Sequence, residues 1–215
     1  MHKAIIFDMD GTMINNMHYH LLAWERMVAE LGSELRGEAL MAQLYGSNKG
    51  VVERVFGMGR FSAAEIQHIG DTKEAYYREL YYPYIKLIDG LPEFLAANHA
   101  KGIPMALGTA SNMPNINLTL DALNIRRYFS AVVSADDVSN GKPDPETYLQ
   151  AAAKLGCAPT DCLVFEDVPK GVEAAARAGM QAIVLTTTHP PADFIQFDNI
   201  IRFVENYNEL IIDNG

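Results

Sequence analysis

Two aspartates one residue apart, Asp8 and Asp10, stand directly after the apolar run Ala4-Ile5-Ile6-Phe7. Carboxylates this close at the end of a buried strand destabilise one another unless something positive sits between them. A divalent cation satisfies the pair, and hard oxygen donors suit magnesium. Gly11 then lets the chain turn sharply before Thr12, although a cap and turn at Asp10-Gly11 accounts for the same residues taken alone. A second apolar run ends Leu107-Gly108-Thr109-Ala110-Ser111, where a hydroxyl ahead of a helix start makes either an anion site or a plain cap. Gly141-Lys142-Pro143-Asp144-Pro145 sets a lysine at the head of a rigid turn, with a solvated surface lysine as the alternative. A fourth run ends in another acidic pair, Phe165-Glu166-Asp167. Each stretch by itself fits an ordinary surface turn. Together they set two acidic pairs, a hydroxyl and a lysine at the ends of apolar runs, which coincident surface turns do not do.

The elements that must position these groups follow from the pattern. Apolar runs predict buried strands over Ala4–Phe7, Ile103–Leu107, Ala131–Ser134, Cys162–Phe165 and Ala182–Leu185, and helical stretches over Pro114–Leu123, Pro145–Leu155 and Pro169–Ala178 separate the later ones. Short strands alternating with helices predict an α/β fold with a Rossmann-like parallel sheet, and open parallel sheets bind ligands at the carboxyl ends of their strands. Gly156 and Gly179 follow their helices where a left-handed cap residue is favoured. Roughly ninety residues separate the first two strands, far beyond an ordinary crossover. That interval carries helical patterns over Tyr19–Leu31, Gly37–Leu44, Gly50–Phe56 and Ala63–Leu80. The expected organisation is therefore a core of residues 1–15 plus 84–215 and an inserted helical subdomain of residues 16–83.

Composition narrows the class of partner. The chain has 215 residues, enough for a core without disulfides, and 27 acidic against 17 basic residues give a formal net charge of −10. Such a surface repels nucleic acid and anionic lipid, so a site for anionic ligands must concentrate positive charge locally. Cys157 and Cys162 read as reduced thiols, and no apolar run reaches the length of a membrane span. A cytoplasmic protein is the expectation.

In order and spacing, Asp8-x-Asp10-Gly11-Thr12, Thr109, Gly141-Lys142-Pro143 and Glu166-Asp167 resemble the four motifs of the haloacid dehalogenase superfamily, in the branch with a helical cap after the first strand. The resemblance covers nearly the whole chain. It implies that Asp8 attacks phosphorus to form an aspartyl-phosphate, while Asp10 acts first as acid and then as base. It also implies Mg2+ held by Asp8, the backbone carbonyl of Asp10 and Asp167, with Glu166 bound directly or through water. Lys142 and Thr109 would hold the phosphoryl oxygens. Within the family the likeness is to β-phosphoglucomutase-like and sugar-phosphatase members. It assigns His20, Trp24, Gly46, Lys49 and Lys73 of the cap to substrate, together with Gly11, Ala110, Ser111 and Asn112 beside the phosphoryl group. Lys49 replaces an arginine, Asn112-Met113 a Lys-Asn pair, and Asn15-Asn16 an Asp-Thr or Asp-Ser pair. Each change weakens the grip on a second phosphate. A monomeric phosphatase acting on a small phosphorylated metabolite is thus expected. A phosphosugar mutase is the alternative, and a pyrophosphatase or a non-catalytic binding protein stands further off.

Overall fold

The computed structural model describes residues 2–211; Met1 and residues 212–215, which the expected core included, lie outside the described residues. The chain divides into two compact units, one formed by Asn16–Tyr84 and the other by the described chain on either side of it. The strands are β1 (Ala4–Phe7), β2 (Met105–Gly108), β3 (Ala131–Val133), β4 (Cys162–Glu166), β5 (Gln181–Leu185) and β6 (Ile200–Val204). The helices are α1 (Met17–Glu30), α2 (Gly37–Met41), α3 (Asn48–Phe56), α4 (Ala63–Tyr81), α5 (Leu91–Ala100), α6 (Met113–Ala122), α7 (Glu146–Leu155), α8 (Pro169–Arg177) and α9 (Asn208–Ile211). No described helix is long and apolar enough to cross a membrane.

The six strands form one parallel sheet in the order β3-β2-β1-β4-β5-β6. The chain moves outward from β1 to β3, then crosses back to β4 on the other side of β1. That reversal opens a crevice at the carboxyl ends of β1, β2 and β4. β1 is buried at all four positions because it pairs on both edges and is covered on both faces. Its residues alternate. Ala4 and Ile6 pack with Ala106, Val164, Tyr148 and Ala174, against α7 and α8. Phe7 faces the other way, stacked on Phe165 at 5.0 Å between ring centroids and edge-on to Phe94 of α5 and to Phe129. Aromatic packing thus pins the last residue of β1, the one immediately before Asp8.

The observed elements depart from the sequence expectation at identifiable points. β2 starts at Met105, two residues late, because Pro104 lacks the N–H a ladder requires. α3 starts at Asn48, two residues early, because the Ser47 side chain accepts from the Gly50 amide and caps it. The strand β6 and the helices α5 and α9 are additions to the predicted set.

In the Asn16–Tyr84 unit, Trp24, Met27, Val28, Leu40, Val51, Val52 and Ile69 form a core of their own. The helix α4 begins at a reciprocal capping box: the Ser62 side chain accepts from the Glu65 amide, and the Glu65 carboxylate accepts from the Ser62 amide.

Phe7→Ala should destabilise the chain by about 3–5 kcal/mol, the usual cost of emptying an aromatic core site. Urea unfolding measures this as a fall in the midpoint at unchanged slope, and a change near zero contradicts the role given to this ring.

Candidate active site

The sheet fixes the main chain of the first two motifs one residue beyond their strands. The Asp8 amide donates to the Phe165 carbonyl at 2.9 Å, and the Thr109 amide to the Val133 carbonyl at 3.0 Å. After Asp8 the chain closes a tight turn in which the Met13 amide donates to the Met9 carbonyl and the Gly11 amide to the Ile14 carbonyl, both at 2.8 Å. Gly11 takes φ +78, and a Cβ there would lie 2.0 Å from Asp167 Oδ2. Only glycine fits.

Lys142 reaches from its turn to the centre of the site. Its ammonium donates to Asp8 Oδ1 at 2.7 Å, to Glu166 Oε1 at 2.7 Å and to the Gly108 carbonyl at 3.1 Å. All three of its protons are thereby used. Its side chain is 7% exposed, which rules out the solvated surface reading. Burial lowers the lysine pKa, but the Asp8 and Glu166 carboxylates outweigh that and hold it above its ordinary value.

Glu166 is the most fully engaged carboxylate of the site. Oε1 accepts from Lys142 and from the Tyr148 hydroxyl at 2.6 Å, and Oε2 accepts from the Asp167 and Val168 amides at 2.9 and 3.2 Å. Four donors match the roughly four lone-pair positions of a carboxylate. A Cβ on Gly171 of α8 would fall 1.7 Å from Glu166 Oε1, so the helix can approach only because that position is bare. Asp167 is held differently, by Thr12 on Oδ1 at 3.0 Å and Thr188 on Oδ2 at 2.5 Å. Asp10 accepts a short hydrogen bond from Ser111. The Thr109 hydroxyl accepts from the Ser111 amide at 3.2 Å, and Asn112 caps α6 by accepting from the Asn115 amide.

One oxygen each from Asp8, Glu166 and Asp167 lies within 4.8 Å of the others, and all three residues are buried. Against these three acids the site sets one ammonium, so full ionisation leaves an excess of two negative charges out of water. Burial accordingly pushes the Asp8 carboxyl up to about 7, helped by Glu166 and Asp10 and opposed by Lys142. Asp167 is raised well above its ordinary value by burial, then by Glu166 and Asp8. An oxygen-only donor set with an excess charge of two fits a hard divalent cation.

The predicted residues of the Asn16–Tyr84 unit fall into two groups. Lys73, 3% exposed, donates to Glu74 Oε1 at 2.9 Å and to His20 Nδ1 at 2.8 Å; His20 stacks on Tyr77 with 3.9 Å between centroids. Trp24 is part of that unit's core, 5.5 Å from the Lys73 ammonium. Gly46 and Lys49 lie apart from this set: Gly46 is a turn residue at φ +74, and the exposed Lys49 side chain is 3.8 Å from Glu53.

Sequence reasoning passed over Tyr148, Glu74, Thr187 and Thr188. The threonines carried a readable signal, since Thr186-Thr187-Thr188 directly follows the β5 strand and so stands at a carboxyl end like the other motifs. Tyr148 carried none, because an aromatic residue in a helix beside a sheet reads as core.

A carboxylate-rich centre at the carboxyl ends of a Rossmann-like parallel sheet, in a chain with a helical unit inserted after the first strand, defines an α/β protein with a candidate cation site at its switch point. The chain belongs to the haloacid dehalogenase-like hydrolase family, whose sequence model matches residues 2–179. It is 31% identical over 184 residues to a fructose-1-phosphate phosphatase of Escherichia coli, covering 85% of this chain and 95% of that one. It is 31% identical over 188 residues to a β-phosphoglucomutase of Bacillus subtilis, covering 84% and 82%. The crystal structure of a HAD hydrolase, family IA, variant 3, from Entamoeba histolytica superposes with a TM-score of 0.90 at 26% identity, covering 98% of this chain and 96% of that chain.

Two outcomes follow from this charge balance. Because Asp8 and Asp167 bind protons more tightly folded than unfolded, the chelator-treated protein should lose stability as pH rises from about 4 toward about 7. A thermal melt in EDTA should give a lower Tm at about pH 8 than at about pH 5, with Mg2+ restoring it at the higher pH; a Tm that climbs over this interval contradicts the charge excess. Gly171→Ala gains about 1 kcal/mol of helix propensity, yet it should lower both Tm and activity because Glu166 must leave its donors. A variant as stable and active as the parent overturns that reading.

Proposed function

We propose that this chain is a magnesium-dependent phosphatase that hydrolyses small sugar phosphates through an aspartyl-phosphate on Asp8. The observation that carries the reading is the buried Asp8 carboxylate, fixed by the Lys142 ammonium at 2.7 Å and flanked by two further acids. Asp8 and Asp167, with the Asp10 carbonyl, are the groups assigned to a divalent cation; Glu166, its lone pairs filled by four donors, adds negative charge beside them instead of a ligand atom. When bound, the cation offsets the charge of the incoming phosphoryl group.

In the first step an Asp8 oxygen attacks phosphorus, the bond from phosphorus to the ester oxygen breaks, and Asp10 gives its proton to the departing alcohol. In the second step Asp10 takes a proton from water, the resulting hydroxide attacks phosphorus, and the bond to Asp8 breaks to release inorganic phosphate. Lys142 and Thr109 offset and hold the phosphoryl oxygens in both steps. Ser111 donates to Asp10, which suits a group that must wait in position between its two proton transfers.

The cations of the helical unit favour hydrolysis over a mutase reaction. A mutase needs a second phosphate site. Lys73 is already paired with Glu74 at 2.9 Å, and Lys49 lies 3.8 Å from Glu53. The buried Lys73 charge, neutralised by its adjacent glutamate, grips a second phosphate poorly, and Lys49 is an exposed lysine without the fork of an arginine. We assign His20 and Lys73 instead to hydroxyl groups of the sugar. The similarity to a fructose-1-phosphate phosphatase supports a sugar phosphate as substrate.

A panel of sugar phosphates with Mg2+ should release inorganic phosphate. Asp8→Asn should lower turnover by at least about 1000-fold, as expected when a covalent nucleophile is removed. Conversion of β-glucose 1-phosphate to glucose 6-phosphate, dependent on bisphosphate and without phosphate release, would replace this reading with the mutase.

A further inference from the structure

The three threonines after β5 each reach a different partner. The Thr186 amide donates to the Val204 carbonyl of β6 at 2.9 Å, with its hydroxyl 3.4 Å from the same oxygen. The Thr187 hydroxyl donates to the Gly11 carbonyl at 2.5 Å. The Thr188 hydroxyl stands 2.5 Å from Asp167 Oδ2 and 2.8 Å from the Asp167 carbonyl. On the opposite side, Thr12 donates to Asp167 Oδ1 at 3.0 Å.

We propose that Thr187 and Thr188 are positioning residues, with Thr188 setting the plane of the Asp167 carboxylate so that it presents lone pairs to a divalent cation. A carboxylate rotates about its last bond unless both oxygens are held, and here one donor holds each oxygen. Asp167 is 1% exposed, so water cannot substitute for either donor. One lone pair per oxygen remains, in contrast to Glu166 with its four donors. The packing leaves no slack, since the position a Cβ on Gly11 would take is 2.0 Å from Asp167 Oδ2 and 3.0 Å from Thr188 Cγ2. Thr187 holds the Gly11 carbonyl, so the Gly11–Thr12 peptide is tied to the same short segment. A single loop thus links the first and fourth motifs. Partners that orient metal ligands typically account for about 10–100-fold in metal affinity or activity.

The inference rests on the cation assignment made under the proposed function, and its test separates the two. Mg2+ is titrated against the full chain and read as the rise in Tm, which needs no turnover, alongside the Mg2+ dependence of phosphate release. T188V, which keeps shape and removes the hydroxyl, should need about 10–100-fold more Mg2+ for the half-maximal Tm rise. Its loss of turnover should shrink as Mg2+ is raised. T188S should restore the wild-type midpoint, and T186V should titrate like the wild type. If T188V does not fold, T188A carries the same titration. A T188V or T188A midpoint equal to that of the wild type overturns the proposal. A wild type whose Tm ignores Mg2+ overturns both this proposal and the cation assignment. A wild type that binds Mg2+ but hydrolyses no ester overturns the phosphatase reading alone, and the Tm titration still decides Thr188.

Discussion

The whole site depends on one ammonium group shared between two buried carboxylates. Lys142 lies 2.7 Å from both Asp8 and Glu166, and Asp167 adds a third acid to the same enclosure. Taking these groups out of water is costly, and a single lysine compensates only part of it. What remains is an unmet demand for positive charge at one point in a chain whose formal net charge is −10. A hard divalent cation is the charge this enclosure lacks. The same imbalance raises the Asp8 carboxyl toward neutrality, so a cation held here would also favour the ionised form of Asp8.

Such an arrangement survives because its supports are rigid and hydrogen-bonded to completion. Glu166 spends all its acceptor capacity on a lysine, a tyrosine and two backbone amides. It acts as the fixed end of the network, against which Lys142 and Tyr148 are set; the Lys142 ammonium also lies over the Tyr148 ring, 4.6 Å from its centroid. Tyr207 reaches the turn from the other face, donating to the Thr12 carbonyl at 3.1 Å while its ring joins the Phe7 cluster. Core packing and site geometry are thus carried by the same residues, and a change in one reaches the other.

Much of this was legible from the chain alone because the motifs are local. Asp8, Asp10, Thr109, Glu166 and Asp167 each adjoin an apolar run, so residue type and neighbours suffice to place them at strand ends; Lys142 was legible from its proline-bounded turn, which lies before α7 and not at the end of β3 as expected. What escaped depends on contacts between distant positions. Tyr148 meets Glu166 across 18 residues, Thr188 meets Asp167 across 21, and Ser111 meets Asp10 across 101. No periodicity encodes such pairs. The strand β6 escaped for another reason: it is an edge strand, half exposed and carrying Arg202, so its apolar signal is broken. In the helical unit, sequence placed His20 and Lys73 on the ligand side, but the glutamate that neutralises the lysine is its immediate neighbour and went unread.

The double pairing of β1 carries a constraint for any attempt to redesign this chain. Ile5, Ile6 and Phe7 are each matched to a partner on both β2 and β4, so the strand cannot slide along its axis without breaking two ladders at once. A shift of one residue would turn Phe7 to the opposite face, into the packing of α7 and α8, and bring either Phe7 or Met9 to the place of Asp8. Insertions and deletions within β1 therefore remove Asp8 from its place outright instead of shifting it slightly.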